Sequence, residues 1–185
     1  MKLIPRLFLF LISLRQKISF FLEKKVYTLY LKIKGKCFGC HVQIGKNVRI
    51  GRGKWYMTPG AEIRIEDNVI IRPYYQVLLK KNARLIICRD TYIGPYAEIY
   101  LMSKLQIGRG TYVAQHCTFI DYNHKFDGNG VSSKELRKNP IRIGDRCWLC
   151  VNVVISAGSV IGDKSLIGPN MAVRGKVKKG SRLTK

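Results

Sequence analysis

The sequence predicts an all-β solenoid, a parallel β-helix of triangular cross-section. Three observations carry that prediction: an aliphatic residue recurs at every sixth position, a glycine often follows it, and extra residues enter only between groups of three repeats. The pattern is cleanest near the carboxy terminus, where Ile143, Leu149, Ile155, Ile161, Ile167 and Val173 stand at equal spacing. The same register gives Ile107, Val113 and Phe119, then Ile87, Ile93 and Ile99, then Ile65, Ile71 and Val77, and continues back to Ile50, Ile44 and Phe38. An α-helix cannot produce it, because a spacing of six carries each aliphatic residue to a new face at 3.6 residues per turn. A short strand and a turn can. Each unit supplies one flat side of a coil with its aliphatic residue inward, and the following glycine permits close approach or positive φ at a corner. Stacked coils then bury one another's apolar layers and pair their backbones.

Residues 1–36 stand apart from the repeat. They hold nine Lys/Arg and the single acid Glu23, with greasy and basic residues interleaved. Leu7, Leu11, Leu14, Ile18, Phe21, Leu22, Leu29 and Ile33 recur at helical spacing and predict an amphipathic helix or helix pair. The longest uncharged stretch, Leu7 to Leu14, is far short of the roughly 20 apolar residues of a spanning helix. Arg6 interrupts the apolar run and no small-residue cleavage site follows it, so a signal peptide fits poorly. Two compatible roles remain: docking on an anionic membrane surface, and covering the open end of the solenoid. The expected organisation is a helical segment 1–36, a solenoid 37–178 and a basic tail 179–185.

The chain of 185 residues carries 34 Lys+Arg against 11 Asp+Glu, a formal net charge of +23, with 46% hydrophobic residues. That composition suits one folded domain with an extension and excludes wholesale disorder. The charge favours polyanionic partners without choosing among nucleic acid, anionic lipid, acidic glycan and phosphorylated cofactor. Six cysteines without a bridge-like spacing fit a reducing cytosol better than a disulfide scaffold. The string from Cys37 to His41 has the C-x-x-C-H form of haem attachment, but Phe38 and Gly39 lie in the repeat register, which makes Cys40 and His41 ordinary corner positions.

The period stops after Phe119 and Ile120. Asp121, Tyr122, Asn123 and His124 open a polar insertion that runs to Pro140, and a solenoid tolerates such a segment as a loop, here 122–140, thrown out from one corner. A neutral imidazole at the start of that loop suits a general base.

With these residues in view, residues 38 to 178 resemble the hexapeptide-repeat acyltransferases, and most closely the branch of maltose/galactoside and polysaccharide O-acetyltransferases. The block IRIGDRCWLCVNVVISAGSVIGDKSLIGPNMAV is the most specific portion of the likeness. The resemblance implies a left-handed coil, a homotrimer with sites in the clefts between subunits, acetyl-CoA as donor, and a sugar hydroxyl of a surface polysaccharide, lipopolysaccharide or related glycan as acceptor. It places the histidine base at His124, about two dozen residues before Trp148. Glu135 and Asp121 are both candidates to orient it, Val151 to supply the oxyanion N–H, and Asn123 and His116 to touch the acceptor. Trp148, Ala157, Pro169, Arg174, Lys176, Lys178 and Lys179 are the residues expected along the cofactor, with Arg182 and Lys185 adding to the basic end. The chain departs from the family at Cys150, where glycine is usual, and at Gly168-Pro169-Asn170-Met171. Cys150 as a nucleophile has no positioned base in the sequence.

Rival readings remain in other classes. A γ-type carbonic anhydrase needs three histidines around a metal, and this chain has only His41, His116 and His124, the first of them several coils from the others, so no metal is expected. A non-catalytic basic solenoid would bind membrane or nucleic acid, but no nucleic-acid motif is visible and no such partner is expected. N-acylation of an amino sugar uses the same base and donor. The membrane reading of the first 36 residues places the enzyme in the cytoplasm, at the inner face of the membrane.

Overall fold

A computed structural model describes residues 13–15, 17–19, 21–127 and 130–184. Leu7 and Leu11 of the expected amphipathic stripe, and Lys185 of the basic end, lie outside the described residues. Strands of two to four residues wind into three parallel sheets, each running the length of the stack. Face 1 has seven strands, from His41–Ile44 to Lys176–Val177; face 2 has seven, from Arg49–Ile50 to Arg182–Leu183; face 3 has six, from Lys54–Met57 to Ala172–Val173. Every aliphatic residue of the repeat from Ile65 to Val173 points inward and is at most 4% exposed. Like residues stack directly: Ile65, Ile87, Ile107, Ile143 and Ile161 are consecutive partners along face 1. Each buried aliphatic side chain contributes about 1.5–3 kcal/mol, and the stack is one continuous apolar column.

The glycine after the aliphatic residue serves close approach, not positive φ. A Cβ on Gly94 would stand 2.6 Å from the Ala114 carbonyl carbon, and one on Gly108 would strike the Gly144 backbone. Positive φ falls two residues later, at Asn47, Asn68, Asp90, Arg146 and Lys164 between faces 1 and 2, and at Tyr74, Tyr96, His116, Asn152 and Asn170 between faces 2 and 3.

Two boundaries differ from expectation. Phe38 is not part of the first coil: it caps helix α1 (Tyr27–Cys37) with its side chain exposed, and Gly39 at φ 62° turns the chain into the solenoid. The basic tail expected from residue 179 is coil as far as Leu183, because Arg182 and Leu183 pair with Leu166 and Ile167. The insertion 122–140 leaves the stack at one corner as expected, and it does so as an antiparallel hairpin, Tyr122–Asp127 against Gly130–Lys138.

Helix α1 and the π-type turn before it (Leu22–Val26) close the first coil. The line Glu23, Tyr27, Leu31, Gly35 faces the solenoid: Leu31 is fully buried in the core, and a Cβ on Gly35 would strike Val42. Buried Glu23 meets Arg49 at 2.8 Å and Arg72 at 3.8 Å, fastening the helix to two coils. The apolar stripe read from the sequence lies on the other side, with Leu14, Ile18, Phe21, Leu29 and Ile33 exposed. Among the described residues no helix is long and apolar enough to cross a membrane.

Candidate functional site

Asp121 ends the fourth strand of face 3 and starts the hairpin. Its carboxylate oxygens accept from the N–H groups of Met102 and Ser103, each at 2.7 Å, and its carbonyl accepts from Asn139 N–H at 2.8 Å. One fully buried residue therefore closes the turn of the coil below and clamps both feet of the hairpin. Burial pushes its carboxyl up, against the pull of the backbone donors. With both oxygens committed to backbone, Asp121 is an anchor and not the orienter of His124.

His124 sits opposite Leu136, next to a register shift between His124 and Phe126. Its Nδ1 lies 3.1 Å from the carbonyl oxygen of Ser132. A carbonyl only accepts, so the neutral ring carries its proton on Nδ1 and its lone pair on Nε2. Glu135, the other expected orienter, pairs with Lys125 at 3.0 Å, and its N–H donates to Ser132 Oγ at 3.1 Å. It thus braces the strand that presents the Ser132 carbonyl. Asn123 precedes His124 in the same strand, opposite Arg137.

A second constellation occupies the corner between faces 2 and 3. There the residue at positive φ stacks coil on coil: Tyr74 on Tyr96 with ring centroids 5.2 Å apart, and Tyr96 on His116 at 4.8 Å and 2°. Asn152 and Asn170 continue the column, joined by a 2.8 Å hydrogen bond. The preceding turn position holds Pro73, Pro95 and Pro169 in three coils, but Gln115 and Val151 in the two between. Proline offers no N–H, so along this edge Gln115 and Val151 keep a backbone donor where their neighbours have none. Beside the column runs a groove of about 910 Å³, floored by face 3 through Gln76, Glu98 and Thr118 and reaching His116 and Asn152.

The remaining expected residues scatter over the stack. Trp148 is half exposed on face 2, continuing the line of Tyr92 and Tyr112, whose rings stack at 4.4 Å. Ala157 and Arg174 lie at the corner between faces 3 and 1, near the hairpin's foot, where Gly158 N–H donates to Asn139. Lys176 starts the last strand of face 1, and Lys178 and Lys179 turn the corner towards face 2. Within one chain His124 and Val151 belong to different corners, separated by face 3. Burial raises the Cys150 thiol above its ordinary value, opposite to what a nucleophilic thiolate requires. Among the described residues no group of His, Cys, Asp and Glu is arranged to hold a metal. Sequence reasoning missed the Tyr74–Tyr96 wall, although its signal was present: both residues stand three places after an inward aliphatic, as His116 does.

Known proteins bear on this geometry. A protein of Mycobacterium tuberculosis named as an acetyltransferase is 28% identical over 74% of this chain and 44% of its own length. One of Escherichia coli named as a colanic acid biosynthesis acetyltransferase is 26% identical over 60% of this chain and 58% of its own. The chain thus spans about half the length of these curated relatives. Among solved structures, the polysialic acid O-acetyltransferase OatWY superposes with a TM-score of 0.64 at 20% identity, covering 79% of this chain and 77% of that one. The N-acyltransferase AntD from Bacillus cereus gives 0.66 at 16% identity, with 80% of each chain covered. The chain has the fold and repeat of the hexapeptide-repeat acyltransferases. No family model matches it. The solenoid is accordingly a left-handed parallel β-helix.

Proposed function

We propose that the protein transfers an acetyl group from acetyl-CoA to a sugar hydroxyl of a surface polysaccharide or lipopolysaccharide, with His124 as general base. The observation that carries this reading is the Nδ1 contact to the Ser132 carbonyl, which leaves the lone pair on the exposed side chain's Nε2. That nitrogen takes the hydroxyl proton as the oxygen bonds to the thioester carbonyl carbon. The oxyanion that forms is met by the Val151 N–H, held ready by the turn. Collapse breaks the carbon–sulfur bond, and the leaving thiolate recovers the proton from the imidazolium. No covalent enzyme intermediate is needed, because the thioester is already activated.

His124 and Val151 occupy different corners, which favours a site shared between copies of the chain and hence a homotrimer with the acetyl-CoA in each cleft. Trp148, Ala157 and Pro169 would line that cleft, and the cations of Arg174, Lys176, Lys178 and Lys179 suit the CoA phosphates. The exposed stripe of Leu14, Ile18, Phe21, Leu29 and Ile33, interleaved with lysines, supports peripheral docking on the anionic cytoplasmic face of a membrane. Mass spectrometry of glycans incubated with acetyl-CoA tests the reaction: wild type adds an acetyl increment that His124→Ala abolishes, and an unaffected variant overturns the assignment of the base. The likeness to AntD, named as an N-acyltransferase, keeps amide formation as a second reading. Mild alkali separates them, since an ester increment is lost and an amide persists.

A further inference from the structure

We propose that the groove between faces 2 and 3 receives a saccharide joined through a diphosphate to a lipid. The diphosphate lies at Arg52, and the sugar lies along Tyr74, Tyr96 and His116. The inference rests on the acyl-transfer reading, whose acceptor it names.

The groove has an aromatic wall and a floor of different chemistry, graded in charge. On one side stand the stacked rings of Tyr74, Tyr96 and His116. Along the floor, Lys54, Gln76, Glu98 and Thr118 follow one another in register as the first outward residues of successive face 3 strands. An aromatic wall facing a row of hydrogen-bonding groups suits a saccharide, whose apolar C–H faces and hydroxyls alternate. The floor is cationic at Lys54 and anionic at Glu98, so a phosphate is favoured at the amino-terminal end and disfavoured in the middle. Arg52 and Lys54 line that end of the groove, and among the described residues neither side chain has a hydrogen-bond or ion-pair partner. Two neighbouring cations left without a counter-charge suit a phosphate dianion, which arginine grips through paired N–H donors.

The groove does not end at Arg52. A second hollow of about 300 Å³ shares Arg52 and Tyr74 with it and continues to Arg15, Ile18, Ser19, Leu22 and Tyr27 beside the amino-terminal helical segment, with the Glu23 carboxylate there already paired to Arg49 and Arg72. Ile18 is half exposed there, on the same face as Leu14 and Phe21. From end to end the path therefore presents an apolar surface, cations, aromatic rings and polar floor, and finally His116 and Asn152 next to Val151. That is the order of groups in a lipid, its diphosphate, a sugar and the hydroxyl to be acylated. A nucleotide sugar shares the diphosphate and the saccharide, but it would set its base, rather than a prenyl chain, against Ile18 and Leu22.

Isothermal titration of the full-length protein tests the assignment with three probes: citronellyl diphosphate-linked N-acetylglucosamine, free N-acetylglucosamine and UDP-N-acetylglucosamine. The prenyl-linked probe is expected to bind at least about tenfold more tightly than either of the others, in line with charge-assisted phosphate contacts plus apolar burial. Arg52→Gln should remove that advantage. Tyr74→Asn, which keeps a residue tolerant of positive φ, should weaken both N-acetylglucosamine-containing diphosphates. Equal binding of the UDP-linked probe, no gain over the free sugar, or an Arg52→Gln variant that binds as wild type does would each overturn the proposal. The two readings fail separately. Transfer to the prenyl diphosphate-linked sugar that is equal for wild type and Arg52→Gln leaves the acyltransferase standing and removes this acceptor. Groove binding by a protein that does not bind acetyl-CoA removes the enzyme reading and leaves the groove assignment intact.

Discussion

Two corners of the same solenoid solve opposite problems. Between faces 2 and 3 the chain turns the same way in coil after coil, with Tyr74, Tyr96, His116, Asn152 and Asn170 all at φ between 59° and 71°. Repetition of the backbone there stacks side chains at fixed spacing, and the product is a wall. Between faces 3 and 1 the regularity is broken once, by the hairpin that carries His124, and Asp121 closes the turn below it through Met102 and Ser103. The lesson is a division of labour: the regular corner builds an aromatic wall, and the interrupted corner carries His124 away from the stack. Neither corner of one chain contains both His124 and Val151.

The sharpest way to break this comparison is to disable the two corners separately. His124→Ala should lower acetyl transfer by about 10²–10⁴-fold without shifting the thermal midpoint. Val151→Pro deletes the N–H at a turn position where Pro73, Pro95 and Pro169 already sit, so the fold should survive while transfer falls by about 10²–10³-fold. If each site is built from two copies, assemblies mixed from these two inactive variants regain part of the activity. Mixtures that stay as inactive as either parent would place both groups in one subunit's site and end the shared-cleft reading.

Stability separates the corners differently. Asp121→Ala leaves the N–H groups of Met102 and Ser103 without their acceptor and frees the hairpin's foot. It should cost about 2–4 kcal/mol in urea unfolding, with increased proteolysis between residues 122 and 138. Leu31→Ala, at the helical cap, removes a fully buried side chain from the end of the column and should cost about 2–3 kcal/mol, at the low end for leucine because the stack's end can relax.

Much of this was legible in the sequence because the period of six constrains almost every inward position, from Ile65 to Val173. What the period does not encode is which residues fill the corners outward. The role of Asp121 was misassigned because proximity to His124 in sequence says nothing of a carboxylate turned inward onto the coil below. The group that meets His124 Nδ1 is a backbone carbonyl, at Ser132, and a carbonyl has no residue signature. The amino-terminal stripe was read correctly as apolar, yet it faces outward, because the helix docks through the line from Glu23 to Gly35, where Glu23 pairs with Arg49 and Arg72 and Leu31 enters the core.

The smallest expected effect concerns Glu135, and it discriminates two models of the base. If a carboxylate oriented the imidazole, Glu135→Gln would cost orders of magnitude in rate. Among the described residues its carboxylate, well exposed, pairs with Lys125, while its N–H bonds Ser132 Oγ and is untouched by the substitution. An exposed pair of this kind contributes under about 1 kcal/mol, so Glu135→Gln should change kcat by less than about fivefold and leave its pH profile in place. A large loss in kcat with a displaced pH profile would mean that Glu135 swings onto Nδ1 when the site is assembled, and that the Ser132 carbonyl holds the ring only in its resting position.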